Sequence, residues 1–181
     1  EIYNGANDSY NFLTVLWSVS IEEQFYLFWS IFLFFFLGAR YKQLWPVLLI
    51  ITITSLYFRA TRMDNETVIY YHTLSVCQDI LTGAFIGWSL FSGKVWLEKV
   101  RRLKKHWVIL IYLGGLILCV VKNKVFFGPL ITIERLVLSL FFAFVILDQI
   151  RGDHSFFKFG KVKLFNYLGK ISYGLYMYHL L

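Results

Sequence analysis

Six apolar runs, at about residues 12–37, 44–58, 74–91, 107–121, 129–149 and 164–181, take up most of this 181-residue chain. The hydrocarbon core of a bilayer is about 30 Å thick, so a helix that crosses it needs about 20 mainly apolar residues. Lipid offers no partner to backbone N–H and C=O groups, which makes a helix the natural form for runs of this length. Hydrophobic residues make up 58% of the chain and the mean hydropathy is +0.60, so no water-soluble domain fits beside the runs. The expected fold is all-α: a polytopic transmembrane helix bundle of about six spans, the second and fourth of them short. The chain starts at Glu1 and stops at Leu181 within an apolar run, with no signal pattern before the first span, and is read as a fragment.

A net charge of +7 would suggest nucleic acid as the partner of a soluble protein. Here the basic residues gather between spans, where topology accounts for them. Arg40 and Lys42 lie in the 38–43 loop. Lys94, Lys99, Arg101, Arg102, Lys104 and Lys105 lie in the 92–106 loop, and Arg151, Lys158, Lys161 and Lys163 in the 150–163 loop. The alternate connections carry Arg59, Arg62, Lys122 and Lys124. The positive-inside rule puts the richer set in the cytoplasm and the N-terminal segment outside. The partner is the lipid bilayer, with no nucleic acid. Cys77 and Cys119 each fall inside an apolar run without metal or redox spacing, and read as small packing residues. Asn11 is a candidate N-cap for the first span, and Pro46 sits in the first turn of the second. Gly83 with Gly87, and Gly114 with Gly115, read as places of close helix packing.

An ionisable residue inside a span costs about 2.5–3.5 kcal/mol on insertion scales, so each one needs a partner, water or a use. In "LWSVSIEEQFYLFWSIFLFFF", Ser18, Glu22 and Tyr26 are spaced i, i+4, i+8 and share a helix face, while Glu23 projects about 100° away. Glu22 lies about ten residues into the span, roughly 15 Å from its outer end. Such a carboxylate suits general acid or base work, or equally a structural pair with an Arg or Lys of the bundle. In "LGKISYGLYMYHLL", Ser172, Tyr176 and His179 share a face, which fits either a site or an interfacial aromatic belt. Asp79, Glu134 and Arg135 are further embedded charges. Arg135 can neutralise Glu134 or another carboxylate, or meet a phosphate or carboxylate on a substrate. Asp148 and Lys170, nearer the cytoplasmic ends, are expected to reach the headgroups.

Three stretches, in order, carry a resemblance. "LWSVSIEEQFYL" resembles the Trp-Ser-Leu-x-x-Glu-x-Gln-Phe-Tyr signature of the acyltransferase-3 family of multispanning bacterial membrane proteins, with Val19 in place of the Leu. "YYHTLSVCQDILTGAFIG" is similar to the family's Tyr-x-x-Thr segment running into a Leu-x-x-Gly-Ala helix. "YLGKISYGLYMYHLL" is similar to its Leu-Gly-x-Ile-Ser-Tyr-x-Leu-Tyr-x-x-His helix.

The resemblance makes residues 1–181 the C-terminal portion of a single membrane acyltransferase domain of roughly ten spans in the bacterial inner membrane. It implies transfer of an acyl group, often acetyl, from cytoplasmic acyl-CoA as co-substrate to a hydroxyl of a carbohydrate or cell-surface glycan, with no bound cofactor and no metal. The family's N-terminal helices, which carry the His usually regarded as the catalytic base, are missing from this sequence, and His179 matches a different motif. Glu22 matches the signature carboxylate and is the expected catalytic residue, orienting the acceptor hydroxyl or that His. Trp17, Ser18, Gln24 and Tyr26 are expected to shape the substrate pocket, with Tyr176 and His179 along its outer side. Lys99 to Lys105 can attract CoA phosphates, although topology explains the same residues, and the CoA-binding residues stay unassigned. A transporter or flippase, and a catalytically inactive membrane partner, are the competing readings.

Overall fold

The computed structural model describes residues 16–37 and 43–178. Asn11 and His179 lie outside the described residues, as do Arg40, Lys42 and the side chains of Trp17 and Ser18. The described residues form eight α-helices and no strand: α1 (Leu16–Phe32), α2 (Leu44–Thr61), α3 (Glu66–Tyr71), α4 (Thr73–Phe91), α5 (Val95–Arg101), α6 (Lys105–Val125), α7 (Ile131–Arg151) and α8 (Lys163–Tyr178). A π-helical turn, Leu33–Leu37, extends α1.

Each of the six apolar runs holds one of these helices. Among the described residues four stretches are long and apolar enough to cross a membrane: Leu44–Thr61, Thr67–Phe91, Lys105–Val125 and Gly128–Arg151. α1 has 17 described residues and α8 has 16. The structure therefore supports four spans where six were expected. The second and fourth runs are not short. α2 continues past Phe58 because Arg59 folds into the protein, and α6 starts at Lys105 and continues through Lys122 to Val125.

Local chemistry sets the breaks. Pro46 stands in the first turn of α2, where its missing N–H leaves no bond unmade. The Asn65 side chain accepts from the Val68 N–H and starts α3. At His72 the backbone turns extended, and its Nδ1 accepts from the Leu74 N–H, which separates α3 from α4 and caps α4. Gly128, with φ +54°, and Pro129 turn the chain from α6 into α7.

α4 is the central helix, packed against α2 and against α7; α5 and α6 also lie on α7. Leu44, Leu48, Leu81 and Trp88 form one buried cluster, onto which α1 lays Phe25, Trp29 and Phe32. These three rings stack in sequence at 5.4 and 5.7 Å. Cys77 packs against the same cluster. A second cluster joins Ile86, Leu97, Ala143 and Leu147. α8 packs mainly on the short turn Phe159–Lys161. Wide apolar exposure on α6, including Val120 at 84%, is what a lipid-facing surface looks like.

The two glycine pairs behave differently. A Cβ at Gly115 would overlap the Phe141 ring, so α6 and α7 do approach closely there. A Cβ at Gly83 or Gly87 would meet nothing within 4 Å, so that pair faces open space rather than a helix contact.

Candidate functional site

α2, α4, α6 and α7 alternate in direction, which brings Arg59, Asp79, Lys122, Glu134 and Arg135 to one end of the bundle. The positive-inside rule predicts that this end, the outer end below, faces away from the cytoplasm. Arg59 is fully buried and donates to three backbone carbonyls: Nε to Thr132 at 3.0 Å, Nη1 to Ile69 at 3.0 Å and Nη2 to Ile131 at 2.7 Å. It ties α2 to α3 and to the start of α7. The sequence pattern suggested only a cation in an outer connection, because the apolar run fades at residue 58.

Beside it a cleft of about 400 Å³ runs along α7 between α4 and α6. At its outer end Arg135 Nη1 contacts Asp79 Oδ2 at 2.9 Å, and Lys122 Nζ contacts Glu134 Oε1 at 3.2 Å. Arg135 therefore pairs across helices with Asp79 rather than with adjacent Glu134. Its Nη2 reaches the Tyr70 carbonyl at 3.4 Å, and its guanidinium lies 5.9 Å from the Tyr70 ring. Midway along, the Thr82 and Ser139 hydroxyls are 3.2 Å apart, and Thr82 also donates to the Gln78 carbonyl. The inner end is apolar, with Leu138, Phe142 and Ile146. The polar groups gather at the outer end; among the described residues that line the cleft there is no His to act as a base near neutral pH.

The residues singled out in α1 lie elsewhere. Ile21 is buried and Phe25, Trp29 and Phe32 continue its packing face. Glu22 and Tyr26 are exposed on the flank of that face, about 100° round from it, whereas Glu23 projects almost directly away from the bundle. Gln24 is exposed on the other flank, its Nε2 donating to Ser20 Oγ at 3.4 Å, so the structure does not bring it to the Glu22–Tyr26 face. Tyr173 and Tyr176 lie on α8, whose Ser172 hydroxyl donates to the Gly169 carbonyl at 2.9 Å. Among the described residues α8 packs mainly on the turn before it, with no main contact to α1.

Asp148 does not reach for headgroups. It is buried at the opposite end of the bundle, where its Oδ2 accepts from Tyr112 at 3.1 Å and Ser155 at 2.6 Å. Lys158 Nζ donates to the Asp148 and Gln149 carbonyls, and Gln149 bonds the backbone of Phe157 and Phe159. Together they fasten the connection between α7 and α8. In the neighbouring basic loop Arg101 is tied to Asp153 at 2.9 Å and to Glu98 at 3.2 Å, leaving Lys99, Lys104 and Lys105 exposed.

The family described as "Acyltransferase domain" matches residues 2–181, from before α1 to the end of the chain. The chain belongs to the acyltransferase-3 family. No curated protein matches it, and no solved structure does. Family membership and the apolar helices together make this a membrane acyltransferase. In this acyltransferase the signature stretch lies on α1, and the cleft is a separate feature, assembled by α3, α4, α6 and α7 from residues as far apart as Tyr70 and Ile146.

Proposed function

We propose that this acyltransferase moves an acyl group, acetyl in the simplest case, from cytoplasmic acyl-CoA to a hydroxyl of a carbohydrate or cell-surface glycan. It works in a bacterial plasma membrane, with α1 and α8 completing six spans. The observation that carries the reading is the signature "WSVSIEEQFY" on α1 of a chain matched by the family along its length. Exposure of Glu22 and Tyr26 beside the packing face, rather than burial in the apolar cluster, supports a role for that flank at the reaction.

In the transfer the acceptor oxygen attacks the thioester carbonyl, an O–C bond forms, the C–S bond breaks and CoA leaves as its thiol. The hydroxyl proton passes to a base and ends on the departing sulfur. Such a step needs a base at the attacking oxygen and donors for the developing oxyanion. Glu22 accepts a hydrogen bond from the acceptor hydroxyl or from the base and fixes its direction. Trp17, Ser18 and Tyr26 shape the acceptor pocket beside Glu22, Gln24 holds Ser20 on the other flank of α1, and Tyr176 and His179 border the pocket's outer side. The exposed cations Lys99, Lys104 and Lys105 attract the CoA phosphates from the cytoplasm.

The test is transfer of labelled acetyl from acetyl-CoA in membranes holding the full-length protein, with Glu22→Gln and Glu23→Gln at matched abundance. Label in glycan with wild type, a fall of at least tenfold with Glu22→Gln, and a smaller change with Glu23→Gln are expected. Equal, near-wild-type activity of both variants would sink the role of Glu22. No incorporation by any form, over several donors and acceptors, would shift the reading to transport.

A further inference from the structure

A second cavity, of about 420 Å³, lies at the opposite end of α7 from the Asp79–Arg135 pair, between the last turn of that helix and the turn Phe159–Lys161. We propose that it holds the phosphates of a soluble nucleotide ester, the CoA half of the acyl donor. This rests on the acyl-transfer reading and anchors its donor on Arg151 and Lys161.

Charge selects the sign of the ligand. The Asp153 N–H donates to the Arg101 carbonyl, so the connection after α7 and the loop around α5 form one surface. Residues 98–105 and 148–163 together carry nine Lys and Arg side chains against three carboxylates, Glu98, Asp148 and Asp153. Those carboxylates are already engaged: Glu98 and Asp153 hold Arg101, and Asp148 accepts from Tyr112 and Ser155. Asp153 is the one carboxylate among the cavity's lining residues, whereas Arg151 and Lys161 stand on it with no carboxylate partner among the described residues. Topology accounts for cations on this side, but not for a cavity set between two of them.

The walls select the kind of anion. Ile150 is the single large apolar side chain among the lining residues, so an acyl chain has no surface to lie along. The cleft, with Leu138, Phe142 and Ile146, is the contrary case. A polar cavity of this volume has room for a phosphate and the group it is attached to. The Arg151 fork suits bidentate contact with phosphate oxygens, and Lys161 adds a point charge. Their backbone is held in place beforehand: Gln149 bonds the carbonyl of Phe157 and the N–H of Phe159, and Lys158 Nζ ties the Asp148 and Gln149 carbonyls. A frame set before the ligand arrives costs less ordering on binding.

The experiment titrates CoA, which has no acyl group to transfer, into full-length protein in nanodiscs of phosphatidylcholine, with or without phosphatidylglycerol. CoA is expected to bind in both membranes and more weakly as salt rises, and pantetheine, which lacks the phosphates, at least tenfold more weakly. Arg151 and Lys161 are exposed and make no ion pair, so Arg151→Gln and Lys161→Gln should fold normally. Each is expected to lower CoA affinity at least fivefold and to raise KM for acetyl-CoA with kcat near wild type. Lys170→Gln, the same loss of charge on α8 outside the cavity lining, should change affinity less than twofold. CoA with an azide on its adenine should label residues 149–161, a readout that needs no variant. Unchanged affinity in both folded variants, an equal loss in Lys170→Gln, or labelling confined to other segments would each overturn the inference. Displacement of CoA by phosphatidylglycerol that is abolished in the two variants would give the cavity to a lipid phosphate and overturn the nucleotide. CoA binding that depends on Arg151 and Lys161 in a protein that transfers no acyl group would support the site and count against acyl transfer. Transfer with an unchanged KM in both variants would do the reverse.

Discussion

Arg59 shows how much a single side chain can hold in an apolar bundle. One of its three bonds runs to a carbonyl in the last turn of α3, where the helix itself offers no partner, and two run to carbonyls at the start of α7, which it shares with that helix's own N–H groups. Interhelical hydrogen bonds in membranes average about 0.6 kcal/mol and reach about 1.7, so three of them amount to about 2–5 kcal/mol. Arg59→Met, which keeps much of the volume, is expected to lose about that much, read as a clear fall in the thermal midpoint of the detergent-solubilised protein. A midpoint within a degree of wild type would mean the carbonyls find other partners. Nothing in the local sequence announces this role, because the partners lie 72 and 73 positions away. Asp79, Glu134 and Arg135 were legible as embedded charges from their setting alone. Which carboxylate Arg135 would choose was not, since adjacent residues on a helix project in different directions and only the packing of α4 on α7 brings Asp79 within reach.

At the scale of elements, the apolar runs located six of the eight described helices, because long apolar runs have few alternatives in lipid; the short α3 and α5 were not foreseen, and only four of the six runs stand as spans. It placed helix ends less well where charged residues remain helical, as at Arg59 and Lys122. The glycines mark a sharper limit. A small-xxx-small spacing says that a face is smooth but not what lies against it: Gly115 receives the Phe141 ring, whereas Gly83 and Gly87 line open space. The two cases predict opposite signs. Gly115→Ala forces Phe141 to move and is expected to cost about 1–3 kcal/mol by overpacking. Gly87→Ala meets nothing and should be neutral or stabilising by up to about 1 kcal/mol through helix propensity. Paired thermal melts of the two variants check this, and destabilisation by Gly87→Ala of the same size as by Gly115→Ala would show that a neighbour does cover that face.

For the whole molecule, sidedness decides what the two ends can do. Lys99, Lys104 and Lys105 crowd one end, while the other holds the paired charges of the cleft and, by the direction of α1, Glu22. If the basic end is cytoplasmic, the acyl donor arrives at the opposite side from Glu22, and the acyl group must be carried through the thickness of the bundle. A protein with Cys77 and Cys119 replaced by Ala, carrying one new cysteine at Lys99→Cys or Asn123→Cys, tests this with a membrane-impermeant maleimide. Both positions are exposed, so access depends on the side and not on burial. Asn123→Cys is expected to react in intact cells, and Lys99→Cys only after the membrane is opened. The opposite pattern would put Glu22 and the cleft on the donor's side, remove any need for passage across the bilayer, and turn the polar end of the cleft to the cytoplasm.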